Sequence, residues 1–89
     1  MKAVVSVIGK DAVGILAKVS TMCARYNVNV TEVTQSVLQD VFAMVMLVDI
    51  TKLSIPLAQL SDEMAEMGKE MGLCIYVMHE DIFNAMHHI

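Results

Sequence analysis

The residues of this 89-residue chain that could do chemistry are concentrated in Val7–Leu16, VIGKDAVGIL, where an apolar run breaks at two glycines and a charged pair. Glycine-rich turns between a strand and a helix often cradle a phosphate. GKDAVG has the G-x-x-x-x-G spacing, but Ile15 and Leu16 stand where a P-loop needs Lys and Ser/Thr. Nothing is left to hold a terminal phosphate or magnesium. The spacing is not G-x-G-x-x-G either, so the dinucleotide fingerprint fails. A helix N-terminus after such a loop still presents unpaired N–H groups and a positive dipole end, which suit a single carboxylate or similar small anion. Asp11 has a second reading as the side-chain cap of the first helix. Gly14 has one as a close contact between helix and sheet, and Lys10 reads as a solvated loop charge.

The remaining reactive side chains form no constellation. His87 and His88 are adjacent, so they lack the i, i+4 geometry of a helical metal pair, and with His79 they have no evident third partner. No metal site is expected. Cys23 and Cys74 lie far apart with no CxxC and read as buried small apolar groups in a reducing cytoplasm. The chain has no G-x-S-x-G, HExxH or recognisable Cys and His arrangement, so neither enzyme activity nor a cofactor is expected.

Composition narrows the partners. Net charge is −4 with the six basic residues scattered singly, which excludes the basic stripe that direct nucleic-acid binding needs. The longest charge-free apolar run, Val41–Val48, is far short of the ~20 residues of a membrane span. The opening MKAVVSVIGKD has too short an apolar stretch for a signal peptide, so a cytoplasmic protein without membrane attachment is expected. Hydrophobic residues make up 56% of the chain, above the usual ~45–50%. In a domain this small that excess points to a subunit interface. Nine residues are methionine, which suits adaptable surfaces as well as irregular cores.

The elements that must position the loop follow from periodicity. Residues 2–8, KAVVSVI, read as a strand ended by Gly9. Ile15, Leu16, Val19, Met22, Cys23 and Tyr26 then make one helical stripe, with Asn27 as its left-handed stop. Residues 28–38 read as a long strand whose alternation slips, because Val28 and Val30 share one parity and Val33 and Val37 the other. A bulge near Thr31–Glu32 would account for the slip. Gln39-Asp40 is a two-residue turn candidate. Residues 41–50 read as a strand apolar on both faces, hence covered on both sides. A second helix begins near Ser54 and Pro56 as cap and early-turn proline, carries the seam Leu57, Leu60, Met64, Met67 and Met71, and ends at Gly72. That seam reads as core, with a contact surface for another protein as the alternative. Residues 73–79 are a fourth strand, and Ile82, Phe83, Met86 and Ile89 share one side of a short tail helix.

The order β-α-β-β-α-β plus a tail is the ferredoxin-like α+β arrangement, a four-stranded antiparallel sheet with two helices on one face. The bare face should be covered by the tail helix or by a second subunit. The second strand is a long edge with one charge, Glu32, and no proline, so it is open to pairing with another chain. A homodimer is expected.

These residues carry a resemblance. GKDAVGIL followed by YNVNVTEV resembles the ACT domain, the small ligand-sensing module attached to many enzymes and regulators of amino-acid metabolism. Its signature of Asp, a Gly three residues on and an aliphatic pair is met by Asp11, Gly14, Ile15 and Leu16. Its aliphatic-Asn-aliphatic opening of the second strand is met by Val28, Asn29 and Val30. The likeness covers residues 1–79, leaving 80–89 as a tail, and is nearest to short free-standing ACT proteins and the ACT halves of the glycine-cleavage repressor type. It implies a small amino acid or similar carboxylate bound between two domains paired through their second strands. Val13 and Gly14 would present backbone N–H groups, Asn29 a side-chain amide across the dimer boundary, and Asp11 an acceptor for the ligand's ammonium. Serine-sensing members carry His and Asn where this chain has Gly9 and Asp11, so serine specificity does not transfer, and Val13 replaces the common proline. A sensor that signals to a partner enzyme or regulator is the first expectation. An interaction module that docks such a protein without a ligand is the second.

Overall fold

The computed structural model describes residues 1–10 and 14–86. Their order is β1 (Lys2–Gly9), α1 (Ile15–Arg25), β2 (Asn29–Leu38), β3 (Val41–Asp49), α2 (Leu57–Met71), β4 (Cys74–His79) and α3 (Glu80–Met86). All strand pairs are antiparallel, and the sheet runs β2-β3-β1-β4. The expected ferredoxin-like arrangement is what forms. The two most apolar strands, β1 and β3, take the centre, where both edges are hydrogen-bonded.

Because strand side chains alternate, register decides what is buried. Ala3, Val5 and Val7 of β1 and Phe42, Met44, Met46 and Val48 of β3 form one face of the sheet with the helices. Ile15, Val19 and Cys23 from α1 and Leu60 and Met64 from α2 close the core over them. Each fully buried aliphatic or Met side chain contributes about 1.5–3 kcal/mol of transfer free energy. Leu16, assigned by periodicity to the α1 stripe, is 41% exposed. The buried seam of α1 is the narrower i, i+4, i+8 line, and Leu16 lies one residue around from it.

The parity slip in β2 resolves as a bulge. Val30 pairs with Val48 and Glu32 with Leu47, leaving Thr31 as the extra residue, whose Oγ1 donates to the Leu47 carbonyl at 2.9 Å. The bulge sets Val33, Gln35 and Val37 across from Met46, Met44 and Phe42, so the three β2 valines, Val30, Val33 and Val37, leave on the helix side of the sheet. The two-residue Gln39-Asp40 turn is present, with Gln39 taking the left-handed conformation at φ 57°.

The helix ends follow local chemistry, with one difference from expectation. Asn27 is left-handed at φ 61° after α1, and Gly72 at φ 72° ends α2. Ser54 does not cap α2. Pro56 stands at that position, and the Ser54 amide donates to the Tyr26 carbonyl at 3.0 Å, tying the 50–56 loop to the end of α1. The helices cross-link through Glu63, which accepts from Tyr26 Oη at 2.5 Å and Gln59 Nε2 at 3.0 Å.

The sheet face away from α1 and α2 is only partly covered. The tail helix α3 lies against β1 and β4, and Val4 on that face is 4% exposed. Farther along, Ile8, Val41, Val45 and Tyr76 remain 39–56% exposed. Cys74, expected to be buried, is exposed: it sits opposite Ile8 on this face at the β4 edge. Among the described residues the apolar second face of β3 is therefore not closed.

Candidate functional site

Lys10, which is exposed, and Gly14 are the described residues of the β1–α1 loop. The Gly14 φ of +75° lies in the left-handed region, and a Cβ built on it would meet nothing within 4 Å. Close packing of helix on sheet does not explain this glycine; backbone conformation does. It occupies the N-cap of α1 and has no side chain with which to satisfy the first-turn N–H groups. Asp11 and Val13 lie outside the described residues, as do His87, His88 and Ile89.

Asn29 is exposed at the start of β2, at the other end of the sheet. β1 leads towards Gly14 through Gly9, which pairs with Phe42, whereas Asn29 and Lys2 both pair with Asp49. The separation is the length of an eight-residue strand, about 25 Å. Within one chain, Gly14 and Asn29 do not meet.

The Asn29 end has a site of its own that the sequence reading did not single out. Asn27, Asn29, Asp49, Thr51 and Lys52 line a hollow of about 380 Å³. Asp49 Oδ1 accepts from the Thr51 amide at 2.9 Å and from Thr51 Oγ1 at 2.6 Å, and the Met1 ammonium donates to Thr51 Oγ1 at 3.0 Å. The Thr51 hydroxyl first, then its amide, holds the Asp49 carboxyl below the usual carboxylate range, with the N-terminus and Lys2 adding to it. Asn27 owes its place to the left-handed turn after α1. The available signal was DIT at 49–51, an acid two residues before a threonine at a strand end, the pattern of a side-chain-closed turn.

The other reactive groups are engaged elsewhere. His79 Nδ1 accepts from the Asp81 amide at 3.1 Å, with Asp81 Oδ2 3.5 Å away. Among the described residues no three His, Cys, Asp or Glu side chains stand where they could hold a metal ion. The buried Cys23 thiol is pushed up by desolvation, which keeps it neutral. No described helix is long and apolar enough to cross a membrane.

Comparison with known proteins agrees with the geometry. A UPF0237 protein of Methanopyrus kandleri is 43% identical over 88 residues, covering 99% of this chain and 98% of the relative. The solved structure of an ACT domain protein from Streptococcus pneumoniae superposes with a TM-score of 0.81 at 31% identity over 93% of both chains. A formyltetrahydrofolate deformylase from Pseudomonas syringae shares the fold alone, with a TM-score of 0.77 at 22% identity over 88% of this chain and 27% of that one. The ACT domain family model matches residues 2–78, nearly the whole chain. With sheet order and relatives in accord, the chain belongs to the ACT domain family of regulatory small-ligand-binding modules.

Proposed function

We propose that this protein is a non-catalytic sensor that binds a small amino acid as a cytoplasmic homodimer and passes its occupancy to a partner enzyme or regulator. The observation that carries the reading is Gly14, left-handed at the head of α1 with open space where a Cβ would stand. Backbone there is accessible to a small carboxylate, and the dipole end favours it. Asp11 and Val13 of the same loop complete the proposed seat.

Asn29 joins this seat only through a second copy. β2 is an exposed edge along its whole length, and two such edges paired antiparallel bring the Asn29 end of one chain beside the Leu38 end of the other. That is the end at which Gly14 stands. A ligand held between the two chains stabilises the dimer by as much as its differential affinity for the paired state.

Thermal unfolding against the twenty amino acids at millimolar concentration tests the reading. A ligand at 100 times its dissociation constant adds about 2.7 kcal/mol, a clear rise in midpoint for a domain this small. One responder whose effect disappears in Asn29→Ala supports the sensor. A flat panel sinks it and favours the interaction module. The exposed Ile8, Val45 and Tyr76 on the open sheet face are the observation behind that second reading.

A further inference from the structure

The sheet face away from α1 and α2 differs between its two ends. Its charged residues, Lys2, Glu32 and Asp49, stand in the two cross-strand rows at one end, and the rows beyond carry none. The tail helix α3 starts at the charged end, where His79 of β4 pairs with Ala3, and lies against β1 and β4 where Val4 is buried. At the uncharged end the same two strands leave Ile8, Cys74 and Tyr76 exposed. Adjacent exposed apolar rows without a charge mark a contact surface.

The tail helix has an unused side to match. Ile82 is 56% exposed on it. Glu80 stands in its first turn and forms no ion pair among the described residues. Lys10, exposed just after Gly9 at the uncharged end of the sheet, forms none either. The helix thus offers an aliphatic side chain and an acid, and the far end of the face offers an apolar bed and a base. One chain cannot join them, because α3 is continuous with β4 at the opposite end.

We propose that a second copy fills the open end: two chains pack face to face, and each lays its α3 over Ile8, Cys74 and Tyr76 of the other. A two-fold axis in the plane of the face and perpendicular to the strands does this. It keeps β1 and β4 over β1 and β4, sets the charged end over the uncharged one, and brings Glu80 of one chain to Lys10 of the other. The axis passes midway between the Val4 and Ile8 rows, at the row of Ser6, Val45 and Thr34. Thr34 is also at the middle of β2, where the two-fold of the edge pairing above stands. The inference rests on that homodimer. Because both axes meet at one row, the contacts close on a tetramer instead of running on as a fibre. Area sets the order of assembly. One seven-residue helix on three side chains falls well below the roughly 800 Å² per partner of a stable interface, so lone chains do not hold together this way. A β2-paired dimer engages two such faces at once, and the first contact raises the effective concentration for the second. Dilute protein is therefore the dimer and concentrated protein the tetramer.

Sedimentation velocity on the whole protein, from dilute to concentrated, tests this, with the rate at which the Cys74 thiol reacts with a soluble disulfide reagent as a second readout. The dimer should give way to a tetramer as concentration rises, and Cys74, exposed in the single chain, should react more slowly in the tetramer. Ile82→Gln, at an exposed helix position, should lose the tetramer and keep the dimer. Lys10→Glu should weaken the tetramer, and Glu80→Lys added to it should restore it. Val37→Lys, which removes the edge pairing, should lose dimer and tetramer alike. A dimer that goes no further with Cys74 equally reactive throughout, a tetramer that survives Ile82→Gln, or a double variant no better than Lys10→Glu overturns the face-to-face packing. Each leaves the edge dimer and its amino-acid response standing, and the open face to another protein. A protein that is monomeric at every concentration overturns the edge dimer and this inference together.

Discussion

Two glycines separate the two reasons a chain uses that residue. At Gly14 the backbone is left-handed and the space beside it is open; at Gly68 the helix is regular and the space is filled, with Ile75 Cγ1 2.8 Å and the Leu73 carbonyl oxygen 3.0 Å from where a Cβ would stand. Gly14→Ala therefore costs about 1–2 kcal/mol through backbone strain alone. Gly68→Ala gains up to about 1 kcal/mol of helix propensity but overpacks α2 against β4, at a cost of about 1–3 kcal/mol. The neighbouring carbonyl cannot move aside, because the Leu73 amide is bonded to the Gly68 carbonyl at 2.7 Å. Denaturant titration should find both variants destabilised, and a stabilised Gly68→Ala would show that α2 shifts freely. Titration acts at the same scale. The Tyr26 hydroxyl, then Gln59, lowers Glu63, and Thr51 lowers Asp49. What these carboxylates contribute is present above their unfolded values, about 4, and is lost as pH falls through their lower folded values. Cys23 is raised by burial and Tyr26 chiefly by its bond to Glu63. Their contributions are complete below the unfolded values and are lost as pH rises through the folded ones. The unfolding midpoint should thus form a plateau that drops below about pH 4 and above about pH 9. In Tyr26→Phe the acid limb should be shallower, since Glu63 loses its main donor while Asp49 keeps both of its own.

The elements can be followed from sequence to structure most closely in β2. The parity slip between Val30 and Val33 reads as a bulge before any coordinates, because without one Val33 and Val37 would leave the opposite face of the sheet from Val28 and Val30. Its edge position follows from strand order, and the edge carries the next prediction. Val37 is 71% exposed and lies beyond the cover of the helices. Val37→Lys should leave the monomer's fold intact and discourage edge pairing, since a charge on an edge strand opposes addition of another. Sedimentation should show a dimer in the unaltered protein and a monomer in the variant; an unchanged dimer would move the interface to the open sheet face. Periodicity was less informative wherever burial depends on more than one element. Periodicity assigns Leu16 to the stripe of α1 because Leu is apolar, but the fully buried line is Ile15–Val19–Cys23, with Met22 and Tyr26 half-buried beside it. Residue type alone buries Cys74, although it starts the edge strand at the end that α3 does not cover. The hollow at Asp49 was not legible because it is assembled from the turn after α1, the first residue of β2 and the end of β3. Only the ladder register makes those neighbours.

At the scale of the molecule, three features bear on the proposed homodimer. The described residues leave the outer edge of β2 unpaired, leave Ile8, Val41, Val45 and Tyr76 on an open sheet face, and place Gly14 and Asn29 at opposite ends of the sheet. A domain of this size buries roughly two-thirds of the surface its unfolded chain exposes, which leaves a lone chain modestly stable. If the dimer is the folded unit, mass action makes the unfolding midpoint rise with protein concentration, and ligand binding between the chains adds to it. Unfolding curves over a hundredfold range of protein concentration, with and without the responding amino acid, should show the ligand's contribution in the unaltered protein. In Val37→Lys that contribution should vanish together with the concentration dependence, although each chain still carries an intact Gly14 and Asn29. A monomeric variant that responds fully would place the ligand within a single chain, and the antiparallel pairing of β2 edges would lose its role in the site.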